Sequence, residues 1–112
     1  MTDLISREEL RRELEKPVLI EALPAKYYNE GHLPGAINIP HDRVDALASE
    51  LLPDKDAEIV VYCASATCKN SDIAAERLTA LGYRNVRTYR EGKTDWISAG
   101  LPVERGAERT AA

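Results

Sequence analysis

The segment Glu58-Ile59-Val60-Val61-Tyr62-Cys63 places apolar side chains on consecutive positions. A strand with one wet face alternates apolar and polar residues, so a run that is apolar at both parities has to be covered on both faces. It belongs at the centre of a sheet between two layers. A chain of 112 residues is one domain's length, and folding at this size hides about two-thirds of the extended-chain surface, enough for a core of that kind.

The rest of the chain supplies the covering layers. Ser6 followed by Glu9 is a capping-box pattern, and Ile5 with Leu10 has the staple spacing, so a helix should open at Ser6, bury Leu10 and Leu14, and stop at Pro17. Val18-Leu19-Ile20 reads as a short buried strand ended by Pro24, with a brief helix near residues 25–29. Gly31 to Gly35 is a cluster of turn formers, and residues 36–40 read as a short strand closed by proline. Asp42 is the expected cap of a helix presenting Val44, Leu47 and Leu51. Asn70 or Ser71 should cap the next helix, which carries Ile73, Ala74, Leu78 and Leu81 and stops at Gly82. A strand over residues 86–89 and a helix over 93–98 follow, and the chain beyond Glu104 is expected to form a flexible tail, 105–112. Strands alternating with helices on short connections give an α/β fold: a central parallel sheet flanked by helices.

Composition narrows the functional classes. Fifteen Lys and Arg against nineteen Asp and Glu give a net charge of -4, which supplies no broad basic footprint for nucleic acid. The longest apolar run, Ile59 to Ala64, is too short to span a bilayer, so no membrane partner is expected. The first sixteen residues alternate charges with single apolar positions and offer no signal-type apolar region, from which a cytoplasmic address is expected. In a reducing compartment two cysteines point to thiol chemistry or packing rather than a permanent bridge.

The ligand crevice of an open parallel sheet lies beyond the carboxyl ends of its strands, and Cys63 ends the best strand. The loop Ala64, Ser65, Ala66, Thr67, Cys68, Lys69, Asn70 carries mostly small side chains and leads into a helix, so its amides can curl around an anion. The same field should lower the Cys63 pKa toward neutrality and make it a nucleophile at the floor of an anion cradle. Arg90 and Lys93 follow a strand and fall at the same sheet edge, where they could steer an anionic donor. His32 and Trp96 read as packing residues. The spacing of His32, His41, Cys63 and Cys68 matches no usual zinc pattern, so neither metal nor other cofactor is expected.

Three segments in order resemble the rhodanese-like domains. Tyr28 with Gly31-His32-Leu33-Pro34-Gly35-Ala36 is similar to the family's first signature, and Trp96 with Gly100-Leu101-Pro102-Val103 to its second. Between them, Val61-Tyr62-Cys63 followed by Ser71-Asp72-Ile73-Ala74-Ala75 resembles the active-site strand, loop and helix. The resemblance, from Val18 to Val103, implies one rhodanese-like domain over 1–104 and sulfur transfer through a persulfide on Cys63. The donor would be a small sulfur anion such as thiosulfate, and the acceptor a thiol, cyanide or an acceptor protein. The chain departs from the pattern in three places. Eight positions separate Cys63 from Ser71, where the family's loop is shorter; Glu21-Ala22-Leu23 stands where an Asp-x-Arg unit is usual; and Gly92 stands alone where glycines are usually paired. Lys69 falls where the related cell-cycle phosphatases carry a phosphate-clamping arginine, but a lysine lacks the bidentate fork. Other readings are a non-catalytic module that binds an anion or partner, and a Cys63/Cys68 redox protein or oxyanion reductase.

Overall fold

The computed structural model describes residues 3–105. The elements run β1 (Asp3–Leu4), α1 (Arg7–Arg12), β2 (Val18–Glu21), α2 (Ala25–Glu30), β3 (Ile37–Asn38), a 3-10 turn (His41–Arg43), α3 (Val44–Leu51), β4 (Glu58–Tyr62), α4 (Asn70–Ala80), β5 (Asn85–Tyr89) and α5 (Gly92–Ser98). The five strands form one sheet in the order β1-β5-β4-β2-β3, and every pairing is parallel. The α/β sheet expected from the sequence is the sheet observed, with β4 at its centre.

The continuous apolar run of β4 is explained by the two cores it separates. Ile59 and Val61 pack with Ile20, Val44, Ala48, Ala74, Ala75 and Leu78, the α3–α4 side. Val60 and Tyr62 pack with Leu10, Leu19, Tyr28, Tyr89 and Trp96, the side of α1, α2 and α5. Each fully buried side chain of this size stabilises by about 1.5–3 kcal/mol relative to exposure. The pleat sends alternate residues to opposite faces, and both faces are dry.

Local signals explain most boundaries. Ser6 Oγ accepts from the Glu9 amide at 3.1 Å and opens α1. Gly82, at φ +101°, ends α4, a conformation that strains any side chain. The two other expected caps do not form. Asp42 lies inside the 3-10 turn, and α3 starts after Arg43 without a side-chain cap. Neither Asn70 nor Ser71 caps α4, which starts from Lys69 and contains both. Ile73, expected on the buried face, is 42% exposed, and Ala74, Ala75 and Leu78 carry the contact instead. The expected tail, save Arg105, lies outside the described residues. Among the described residues no helix is long and apolar enough to cross a membrane.

Candidate active site

Cys63 follows β4 directly, at the carboxyl end of the central strand, and is 1% exposed. Its thiol faces two acceptors, the Cys68 carbonyl and Ser71 Oγ, each at 3.4 Å. Ser71 stands in the first turn of α4, and the loop that carries Cys68 is folded back by a turn in which the Cys68 amide donates to the Ser65 carbonyl at 3.0 Å. Ser65 and Thr67 hydroxyls bond each other at 3.1 Å. Ala66, Thr67 and Lys69 are exposed, while Ala64, Ser65, Cys68 and Asn70 are half-buried. A longer loop has thus been used to lay Cys68 against Cys63.

The electrostatics depart from expectation. Burial pushes the Cys63 thiol above its ordinary value, and the neighbouring Cys68 thiol adds to the rise; hydrogen bonds from the Ser71 hydroxyl and amide pull the other way and do not prevail. Cys68 is the thiol drawn down. Its own burial opposes this, but a hydrogen bond from the Cys63 thiol and others from the Ala64 and Asn70 amides outweigh it. The Ala64 and Asn70 amides of the loop act on Cys68. The structure corrects the expectation that Cys63 is the low-pKa thiol, because desolvation of the floor position exceeds the gain from two donors.

The model of the Rhodanese-like domain family matches residues 6–99. This chain belongs to the rhodanese-like domain family. It is 40% identical over 107 residues, 94% of its length, to the HTH-type transcriptional regulator Rv0324 of Mycobacterium tuberculosis, and spans only 46% of that protein. It is 29% identical over 92% of its length to a sulfurtransferase of Allochromatium vinosum, of which it covers 95%. Among solved structures it resembles a rhodanese with anions from E. coli, with 30% identity, a TM-score of 0.68, and coverage of 80% of this chain and 99% of that one.

The geometry gives this rhodanese-like domain's departures from the family pattern a physical meaning. Gly92, at φ +75°, lies so close to the loop that a Cβ there would fall 2.6 Å from the Cys63 carbonyl oxygen. The next amides tie the contact, Lys93 N to Cys63 O at 2.8 Å and Thr94 N to Ala64 O at 2.9 Å. The single glycine is kept where the backbones touch. Lys93 comes next, and its ammonium reaches Glu21 Oε2 at 3.0 Å and the carbonyls of Tyr27 at 2.9 Å and Gly31 at 2.6 Å. Glu21 is fully buried, and its other oxygen accepts from Tyr62 Oη at 2.7 Å, which in turn accepts from the Leu33 amide at 3.0 Å. Lys93 is therefore the cation paired with the carboxylate that ends β2. This structural role takes the place of the donor steering expected for Lys93, whose charge is held by a buried carboxylate.

Arg90 is exposed and pairs with Asp72 in the first turn of α4 at 3.1 Å. It sits beside the loop's exit into the helix. His32 is buried in the turn, stacked on Tyr28 with ring centroids 3.8 Å apart and Nδ1 2.9 Å from the Tyr28 carbonyl. The turn is closed by backbone bonds between His32 and Glu104 at 2.8 Å in both directions. Trp96 donates to the Pro102 carbonyl at 2.8 Å and meets Tyr89 edge-on. Sequence reasoning missed the loop contact of Gly92 and the Glu21–Lys93 pair. The signal for the first was a glycine three residues after a strand, on the side where the site had to be; the second joins residues 72 positions apart and left no local pattern.

Proposed function

We propose that this rhodanese-like domain is a sulfurtransferase whose nucleophile is Cys63. The Cys63 thiolate attacks the outer sulfur of a donor such as thiosulfate, the donor's S–S bond breaks, and sulfite leaves with the bonding electron pair. The persulfide formed on Cys63 is then attacked at its outer sulfur by a thiol, cyanide or an acceptor protein, and Cys63 is regenerated as thiolate. The loop amides stabilise the sulfur anions at each stage, while Lys69 and Arg90 attract the anionic donor. The observation that carries this reading is Cys63 itself, at the end of the central strand with the loop and Ser71 directed at its sulfur. The likeness to a protein named as a sulfurtransferase over nearly its whole length supports it.

A second reading, a module that binds an anion or a partner without turnover, is favoured by the 40% identity to a protein named as a transcriptional regulator. Cyanide-dependent release of thiocyanate from thiosulfate separates the two. The first reading requires turnover that is lost in Cys63→Ser; a folded wild-type protein that releases none leaves the second.

A further inference from the structure

We propose that Cys68 is a resolving thiol that turns the Cys63 persulfide into sulfide and an intraloop disulfide. The step rests on the sulfurtransferase reading, since it needs a persulfide on Cys63. The Cys68 thiolate attacks the inner sulfur, Cys63 Sγ; the Cys63–Cys68 bond forms as the persulfide S–S bond breaks, and the outer sulfur departs as hydrosulfide with the bonding pair. The sulfane sulfur gains the two electrons that the two cysteines lose, so this turnover needs no external oxidant or reductant. Repeated turnover needs an external dithiol to reopen the disulfide.

Geometry selects Cys68. The turn from Ser65 to Cys68 brings its main chain back over the strand end, with the carbonyl 3.4 Å from Cys63 Sγ. The main chain of Cys68 thus lies against Cys63 Sγ, the inner sulfur that its thiol must reach in this step. The two cysteines differ in the way a resolving pair requires: Cys63 is buried at the floor, whereas Cys68 is half-buried and followed by the exposed Lys69. The neighbouring Cys63 thiol and the Ala64 and Asn70 amides favour thiolate on Cys68, the attacking residue.

The experiment loads wild-type protein, Cys68→Ser and Cys68→Ala with thiosulfate under anaerobic conditions, removes the donor, and follows sulfide release, intact mass and alkylatable thiols. The wild type is expected to release its added sulfur as sulfide and finish with neither cysteine alkylatable, while both variants hold the sulfur about tenfold longer or more. Equal persulfide lifetimes with Cys68 still alkylatable overturn the resolving role and leave the sulfurtransferase reading standing. Peptide mapping that finds the extra sulfur on Cys68 also overturns it, since attack would then have fallen on the outer atom. No added sulfur on any of the three proteins overturns the sulfurtransferase reading and the resolving step together.

Discussion

Gly92 and Cys63 meet backbone to backbone: a Cβ on Gly92 would lie 2.6 Å from the Cys63 carbonyl oxygen and 2.9 Å from the Ala64 carbonyl carbon. The start of α5 is therefore the wall against which the active loop begins. Rigid backbone on one side and a positive φ on the other leave a side chain no means of relief. Gly92→Ala should cost about 1–3 kcal/mol of stability. It should also slow sulfur loading of the protein that remains folded, because the Lys93 and Thr94 amides that fasten Cys63 and Ala64 must shift. Urea unfolding together with single-turnover loading checks both; wild-type values for each would show that the contact is slack.

Lys93 and Glu21 form a nearly dry ion pair, with side chains 13% and 0% exposed. Removing one partner leaves the other buried without compensation, so Lys93→Met should destabilise by about 3–5 kcal/mol. The double variant Lys93→Met/Glu21→Gln should recover part of the loss. Denaturant melts of the three proteins test this, and a single variant as stable as the double would contradict the account.

The same pair has a pH signature. Burial holds the Glu21 carboxyl above its ordinary value of 4.5, against the downward pull of Lys93 and Tyr62. A raised folded value means that the folded protein keeps the proton longer, so this group's contribution is complete below the unfolded value and is lost as pH rises through the folded one. Without Lys93 the folded value climbs further, and Lys93→Met should lose stability more steeply than wild type as pH rises from 4.5. Parallel stability-pH curves for the two proteins would remove the pair from the explanation.

Much of this was legible in the sequence, and the exceptions share physical causes. The β4 run announced a strand with two dry faces because its residues face two separate cores. Ser6 was legible as a cap because its backbone is extended, at φ -83° and ψ 163°, which presents its hydroxyl to the Glu9 amide. Asp42, Asn70 and Ser71 looked equally suitable, but Arg43 at ψ 7° and Lys69 at ψ -6° lead into their helices from already turned backbone, with no extended residue at the cap position. Strand β1 escaped notice because Asp3 and Leu4 are a strand only through their register with Arg87 and Thr88. At the site, the position of Cys63 could be read from the strand before it. The ranking of the two thiols could not, since it depends on how far Cys63 is desolvated once the loop closes over it.

That ranking predicts an order of alkylation. With Cys68 drawn down and Cys63 held up, iodoacetamide should modify Cys68 at lower pH than Cys63. Cys63→Ala removes the donor to Cys68 and should move the Cys68 titration upward. Peptide-resolved alkylation across pH checks the order; Cys63 reacting first would restore the expectation drawn from the loop field alone.

If Arg90 and Lys69 attract the donor, Arg90→Ala and Lys69→Ala should raise the thiosulfate KM and flatten its salt dependence, with kcat little changed. Exposed charges steer over a Debye length of about 8 Å at physiological ionic strength, so the effect should fade in high salt. Lys69 should matter more, because Arg90 is partly neutralised by Asp72 at 3.1 Å. Kinetics equal to wild type at low salt would make both residues solvated surface.

Whether Cys63 carries the transferred sulfur is decided by the mass of the protein after brief exposure to thiosulfate, with Cys68→Ser set beside Cys63→Ser/Cys68→Ser. With the neighbouring thiol removed from both, one added, cyanide-labile sulfur is expected on the protein that keeps Cys63 and none on the folded double variant. An equal gain in both, or none in either, would contradict it.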